Sequence, residues 1–348
     1  MNVPNAAGVP CAVSIVIKAL NEEKRIEAAV QSALKALEAL RPLQGEVVLA
    51  DSCSTDRTVE LASRYPIRIV QLANPGERCC GIGPQLGYQH SLGEFVYILD
   101  GDMQMLDGFL PQALAFMRAH PDVAGVAGRV VEVNTQSMEY LARMERASGH
   151  MQPGDVDRLD MGGLYRRQAI EQAGYFSDRN LHSYEEFDLA VRLRVRGWKL
   201  WRIDVDSVLH HGHDAPALQL LQRRWRSRYI CGLGELVRGA AGEPHWRLVL
   251  AGVRELRLYV AVLAWWLVLL GALLWPASAG ARACAFAVLL LAPVALMTWR
   301  KKSLRKALFS VVSWCFNAAG LVRGLLVVRR PPQEAVQSTL VRDTSVQA

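Results

Sequence analysis

Seven cysteines in 348 residues leave little to build with. The number is odd, no CxxC pair occurs and Cys79-Cys80 are adjacent, which excludes a disulfide framework and a zinc-ribbon pattern. Reduced thiols in a cytosolic compartment are expected instead. No cleaved signal peptide is expected either: MNVPNAAGVPC has neither a basic start nor a long apolar stretch, so the first domain is expected to stay in the cytoplasm. No internal repeat or low-complexity segment occurs, which excludes a repeat architecture. The net charge of +7 fits nucleic acid, anionic lipid or an anionic substrate. The first half, however, has no basic stripe interleaved with aromatics, so nucleic acid is not expected as a partner.

What is present is apolar. Hydrophobic residues make up 51% and charged residues 21% of the chain, with the apolar excess near the C-terminus, so a soluble domain followed by a membrane part is expected. From Ala12 to Ile17 the run AVSIVI reads as a strand, and Ile26, Val30, Ala33, Leu34 and Leu37 then fall on one face of a helix. The unit recurs: Glu46 to Ala50 precedes STDRTVELA, and Ile67 to Gln71 precedes a glycine-rich loop that leads to Phe95–Leu99. Strands alternating with helices predict an open α/β, Rossmann-like nucleotide-binding half with a parallel sheet over about the first 130 residues. A strand over Lys199 to Val205 and a helix from Glu185 to Arg196, closed by Gly197, complete this domain.

Past it, Ala217 to Arg238 is amphipathic and basic, the profile of a helix lying in a membrane interface. Leu256 to Trp275 and Ala283 to Trp299 are long and apolar enough to span a bilayer. Only Arg282 lies between them, whereas Arg300, Lys301, Lys302, Arg305 and Lys306 come after the second, so that loop is expected on the cytoplasmic side. A third segment, Ala307 to Val328, is interrupted by Asn317 and Arg323 and followed by Arg329-Arg330. A full span there would export those arginines, so a re-entrant or interfacial helix is favoured and two or three transmembrane helices are expected.

Chemistry gathers at the strand ends. Asn21 and Glu22 follow the first strand and Asp51 ends the second, where such side chains can read a nucleobase and ribose. Helix capping is the competing reading for Asn21, Ser54, Thr55 and Asp56. Asp100-Gly101-Asp102 closes the strand Phe95–Leu99 with two carboxylates suited to a divalent ion and a diphosphate. Gly162-Gly163 precedes Tyr165-Arg166-Arg167, and Glu185-Glu186 opens a helix whose N-terminus also favours acidic residues. His210-His211-Gly212-His213 follows the last strand.

The stretches NEEKRI, DSCSTDRT, LDGDMQM, GGLYRR and EEFDLAVRLRVRGW, in this order over roughly residues 12 to 203, resemble the family 2 glycosyltransferases with the GT-A fold. In that family the order is NEE, DxGSxDxT, DxD, a glycine loop and EDxDLxxRLRxxGW. The resemblance implies that Asn21, Glu22, Asp51, Asp100, Gly163 and Arg166 bind a nucleotide-sugar donor. It implies that Asp102, with Asp100 and His210, holds Mg²⁺ or Mn²⁺, and that Glu186, or Glu185 beside it, is the general base. Three departures bear on donor recognition: Lys18 stands where Pro is common, Cys53 where Gly is common, and Cys80 near a common Asn. Gln222-Arg223-Arg224-Trp225 is one residue short of the QxxRW of processive synthases, so a basic interfacial helix with a Trp anchor is the preferred reading.

The expected division is a catalytic domain over 1–215, an interfacial region over 216–250, membrane helices over 251–330 and a tail over 331–348. The expected function is inverting, metal-dependent transfer of a sugar from a nucleotide-sugar to a lipid-linked or glycan acceptor, with a polyprenyl-linked one favoured. The expected place is the cytoplasmic face of a bacterial inner membrane. A polyprenyl-phosphate sugar transferase, a processive polysaccharide synthase and a membrane-anchored scaffold with a degenerate nucleotide site are the alternatives.

Overall fold

The computed structural model describes residues 11–135, 149–211 and 216–343. The chain divides into two compact units, Met1–Gln219 with Arg329–Ala348, and Leu220–Val328.

The first unit is built on one mixed sheet. Strands β1 (Cys11–Ala19), β2 (Gln44–Asp51), β3 (Arg68–Leu72) and β4 (Phe95–Asp100) run parallel in the order 3-2-1-4. Beyond β4 the expected parallel pattern gives way. Strand β8 (Gly163–Arg166) pairs antiparallel with β4 and with β6 (Val123–Glu132), which runs parallel to β9 (Lys199–His210). The short β5 (Met103–Met105) and β7 (Gly154–Val156) pair antiparallel with β9. No helix joins β4 to β5, so the chain turns directly from one to the other and leaves Asp100 and Asp102 on either side of that turn.

Alternation along β1 shows why AVSIVI is apolar at both odd and even positions apart from Ser14, whose hydroxyl donates to Glu46 Oε1 at 2.7 Å. Ile15 and Ile17 pack with helices α1 (Ile26–Glu38) and α4 (Phe109–Ala119). Val16 packs on the other side with Ile82 and Leu86 of α3 (Ile82–Gln89) and with Val96. A sheet covered on both faces needs apolar residues at odd and even positions alike. Helix α2 (Thr58–Ala62) follows β2 and α5 (Arg167–Ala173) follows β8, while α6 (Glu185–Arg194) stops before Gly197, whose φ is 85°. Within α6, Asp188 and Arg192 form a buried ion pair at 2.8 Å, and Arg192 also donates to the carbonyls of Tyr175 and Phe176. This Asp and Arg of the EEFDLAVRLR stretch thus hold the helix in place.

A tenth strand, β10 (Ser338–Arg342), pairs antiparallel with β3. Its apolar core is only Leu340-Val341, too short to signal a strand by itself.

The amphipathic stretch Ala217 to Arg238 is not one helix. It breaks between α7 (Ala217–Arg226) and α8 (Gly232–Ala240), with Arg228 left-handed at φ 61°. After α9 (Trp246–Gly252), three helices among the described residues are long and apolar enough to cross a membrane: α10 (Glu255–Leu274), α11 (Ala279–Lys301) and α12 (Leu304–Leu326).

Candidate active site

Register places the site at the carboxyl edge of the parallel strands. Lys18 is the partner of Asp100 across β1 and β4, and Ala19 of Asp51 across β1 and β2. Asp51 is fully buried. Its Oδ2 accepts the Ser54 N–H at 2.9 Å and Gln71 Nε2 at 2.8 Å, while Oδ1 meets no donor among the described residues. Asn21, at φ 60°, spends its side chain locally: Oδ1 accepts the Thr55 N–H at 2.7 Å. The Glu22 N–H donates to Thr58 Oγ1 and that of Glu23 to Asp56 Oδ2, so the two strand-end loops are laced together. Asp56 also accepts Thr58 N–H, the capping role that competes with ligand binding in the sequence.

The two carboxylates of Asp-Gly-Asp part company. Asp100 Oδ1 lies 3.0 Å from Lys18 Nζ, which is 3.8 Å from Glu185 Oε1. Burial opposes the charge on Lys18, but Asp100, Glu185 and Glu186 outweigh it and hold the ammonium well above its ordinary pKa. Asp102 faces β9 instead, its Oδ2 3.6 Å from His210 Nε2. The other ring nitrogen of His210 lies 2.7 Å from Glu132 Oε2. Burial alone would lower the His210 pKa; the carboxylates of Asp102 and Glu132 on either side of the ring raise it to about 8. His211 Nε2 is 3.1 Å from Gln104 Nε2, and His213 lies outside the described residues.

Opposite β4, Met161 (φ 65°) and Gly162 (φ 94°) both turn left-handed. A Cβ on Gly162 would come within 2.9 Å of the Ile98 carbonyl, so glycine is needed for space as well as conformation. The turn delivers the Met161 N–H to Glu186 Oε1 at 3.1 Å. Lys18, Gly162, Tyr165, Ser177, Glu185 and Glu186 line a common cleft. Burial raises the pKa of both glutamates; Asp160 adds to the effect at Glu186, which is pushed well up, while Lys18 opposes it at both.

Not every expected residue arrives. Gly163 begins β8 opposite Ile98, beside the cleft. Arg166 pairs with Phe95 at the far end of β4, and its guanidinium donates to the carbonyls of Met117 and Val123. It braces the sheet away from the cleft. Conversely, Glu132 and Asp160 carry no motif in the sequence. Glu132 reaches His210 only through the β6–β9 register, and Asp160 is held at 2.8 Å by His150.

Residues 14–174 match the model of glycosyl transferase family 2. This stretch is a family 2 glycosyltransferase domain. Among relatives, glucomannan 4-beta-mannosyltransferase 2 of Arabidopsis thaliana is 30% identical over 156 residues, 42% of this chain and 28% of that protein. The probable glucomannan 4-beta-mannosyltransferase 1 of the same plant is 29% identical over 155 residues, covering 42% of the chain and 27% of the relative. The match thus spans less than a third of either relative. Among solved structures, the mannosyltransferase PcManGT from Pyrobaculum calidifontis, in complex with GDP-Man and Mn²⁺, superposes with a TM-score of 0.56 at 19% identity, covering 93% of this chain and 89% of that one. The family 2 domain here accordingly has the GT-A type of mixed α/β sheet, followed by three helices with the length and apolarity of membrane spans.

Proposed function

We propose that the chain is an inverting, metal-dependent glycosyltransferase that moves a sugar from a nucleoside diphosphate sugar to a membrane-associated acceptor. A polyprenyl-linked acceptor on the cytoplasmic face of a bacterial inner membrane, in cell-surface or exopolysaccharide glycan synthesis, suits the attached apolar helices. The observation that carries the reading is the cleft itself. A pair of half-buried glutamates, Glu185 and Glu186, opens a helix beside the strand edge that also bears Asp51, Asp100 and Asp102.

The donor set fits a divalent ion. Glu132 orients His210 toward Asp102 as outer carboxylates orient metal-binding imidazoles, and mixed oxygen and nitrogen ligands suit Mn²⁺ better than Mg²⁺. The donor diphosphate would complete the shell around Asp102 and His210. A divalent ion held there supplies Lewis acidity to the departing nucleoside diphosphate.

The protein's own residues do the rest. Asp51, with an unfilled buried acceptor at Oδ1, would take an N–H from the nucleobase. Glu186, fixed by the Met161 N–H, receives the acceptor hydroxyl's proton while that oxygen bonds to the anomeric carbon and the bond to the diphosphate breaks. Single displacement inverts the anomeric centre. The mannosyltransferase relatives, together with the GDP-Man bound to the similar PcManGT, make GDP-mannose the first donor to try. Calorimetry of the detergent-purified full chain should show nucleotide-sugar binding that requires Mn²⁺. Binding of none of a GDP-, UDP- and dTDP-sugar panel, with and without metal, would overturn the proposal.

A further inference from the structure

We propose that Lys18 takes Asp100 out of the metal's coordination shell, so that the Asp-Gly-Asp pair is divided between two tasks. Asp100 is the counter-ion of Lys18 and helps place Glu185; Asp102 and His210 receive the ion. This rests on the metal-dependent function proposed for the site and assigns its ligands.

Backbone register makes the division. Asp100 is the last residue of β4 and lies across from Lys18 of β1, whereas Asp102 precedes β5, whose Met103 lies across from His210 of β9. The side chains keep the same split: Asp100 to Lys18 at 3.0 Å, Asp102 to His210 at 3.6 Å. A dication on Asp100 would have to share that carboxylate with an ammonium already in contact with it. Like charges so close in a partly buried site repel strongly. Lys18 also lies 3.8 Å from Glu185, so the one cation ties the ends of β1 and β4 to the start of α6 and is a positioning residue for the glutamate cleft.

Removing the pair without changing net charge separates the possibilities. In Lys18→Met/Asp100→Asn, Mn²⁺ affinity of the nucleotide-bound full chain, read by electron paramagnetic resonance, should stay within about threefold of wild type. Asp102→Asn should weaken it by about tenfold or more, as loss of groups that hold or orient a metal typically does. The milder pair Lys18→Gln/Asp100→Asn serves the same comparison if the first does not fold. A tenfold loss in the charge-neutral double variants would make Asp100 a ligand and overturn the assignment. Unchanged affinity in Asp102→Asn would instead remove the metal reading on which it rests.

A different observation, the return of the chain to its sheet, bears on the membrane segment. Arg329–Ala348 belongs to the same folded unit as the catalytic sheet. β10 completes the sheet's edge, Arg329 pairs with Asp178 at 3.0 Å, and Arg330 pairs with Glu77 at 2.7 Å. Both ends of Leu220–Val328 therefore leave from one unit, on one side of any bilayer. We infer that the segment crosses an even number of times, although three helices have the length to do so.

Helix α12 is the one that stays behind. A third of its apolar window is buried in the protein, against 6% in each of α10 and α11. Gly320 and Gly324 lie on the face of α12 that meets the backbone of Ile230 and Cys231, and a Cβ at either would clash. Arg323 lies over the Trp225 ring at 5.4 Å. The partner elements are the basic, amphipathic ones that suit an interface rather than a bilayer core. With α10 and α11 as a hairpin and α12 interfacial, Arg329-Arg330 stay on the side of Lys302. A fluorescent protein that folds only in the cytoplasm, fused after Ala348 of the full chain, should fluoresce, and a membrane-impermeant maleimide should label Ser278→Cys, in a background otherwise free of cysteine, from outside. A dark fusion that retains the periplasmic activity of an exchanged alkaline phosphatase would show an odd number of crossings and overturn the inference.

Discussion

Asp102→Asn is expected to abolish sugar transfer and leave the melting curve where it is. Asparagine keeps the size of the side chain and removes the anionic ligand. Lewis-acid stabilisation of a leaving diphosphate is worth several kcal/mol, so a loss of about 10³-fold or more in kcat/KM is expected. The fold should survive because Asp102 belongs to the turn between β4 and β5 and makes its side-chain contact at a strand edge, with His210. Turnover at saturating Mn²⁺ and thermal unfolding of the same sample check both halves. A folded variant with wild-type turnover would remove the metal assignment.

Glu186→Gln should lower kcat by about 10²- to 10⁴-fold, the usual worth of a positioned base, with donor affinity little changed. Gln keeps an acceptor for the Met161 N–H, so position is preserved and only proton acceptance is lost. The same variant should melt higher than wild type at pH 8. Burial and Asp160 raise the Glu186 pKa in the folded state, so the folded chain binds this proton more tightly than the unfolded one. Its contribution is therefore fully present below the unfolded pKa and is lost as pH rises through the folded value. The amide removes that penalty, and the two melting curves should converge in acid. Glu185→Gln should cost much less activity, since Glu185 faces Lys18. If both amides leave kcat near wild type, the acceptor is a phosphate, which needs little base catalysis; a larger loss at Glu185 would move the base by one residue.

Much of this site could be read along the chain because its parts close apolar strands. β1 to β4 announce themselves as hydrophobic runs, and the residues that end each run must lie at the carboxyl edge, which is how Asp51, Asp100 and Asp102 are found. Other features depend on strands distant in sequence. Nothing near Glu132 says that it backs His210, since only the β6–β9 register brings them together. Lys18 is visible as an odd residue, but its pairing with Asp100 depends on β1 and β4 being neighbours. Arg166 shows the converse: it stands three residues past the glycine loop, yet β8 runs antiparallel to β4 and carries it about 10 Å away from Gly163 at roughly 3.3 Å per residue. The break at Arg228 and strand β10 are hidden for a different reason, because neither has a period or an apolar run long enough to mark it.

The most direct measurement is transfer of a radiolabelled sugar by membranes that contain the full chain. Given GDP-mannose first, then other nucleotide-sugars, they should pass label into organic-extractable lipid in a Mn²⁺-dependent reaction that Asp102→Asn membranes fail to carry out. Label that never leaves the donor across the panel, or transfer undiminished in Asp102→Asn, would contradict the account.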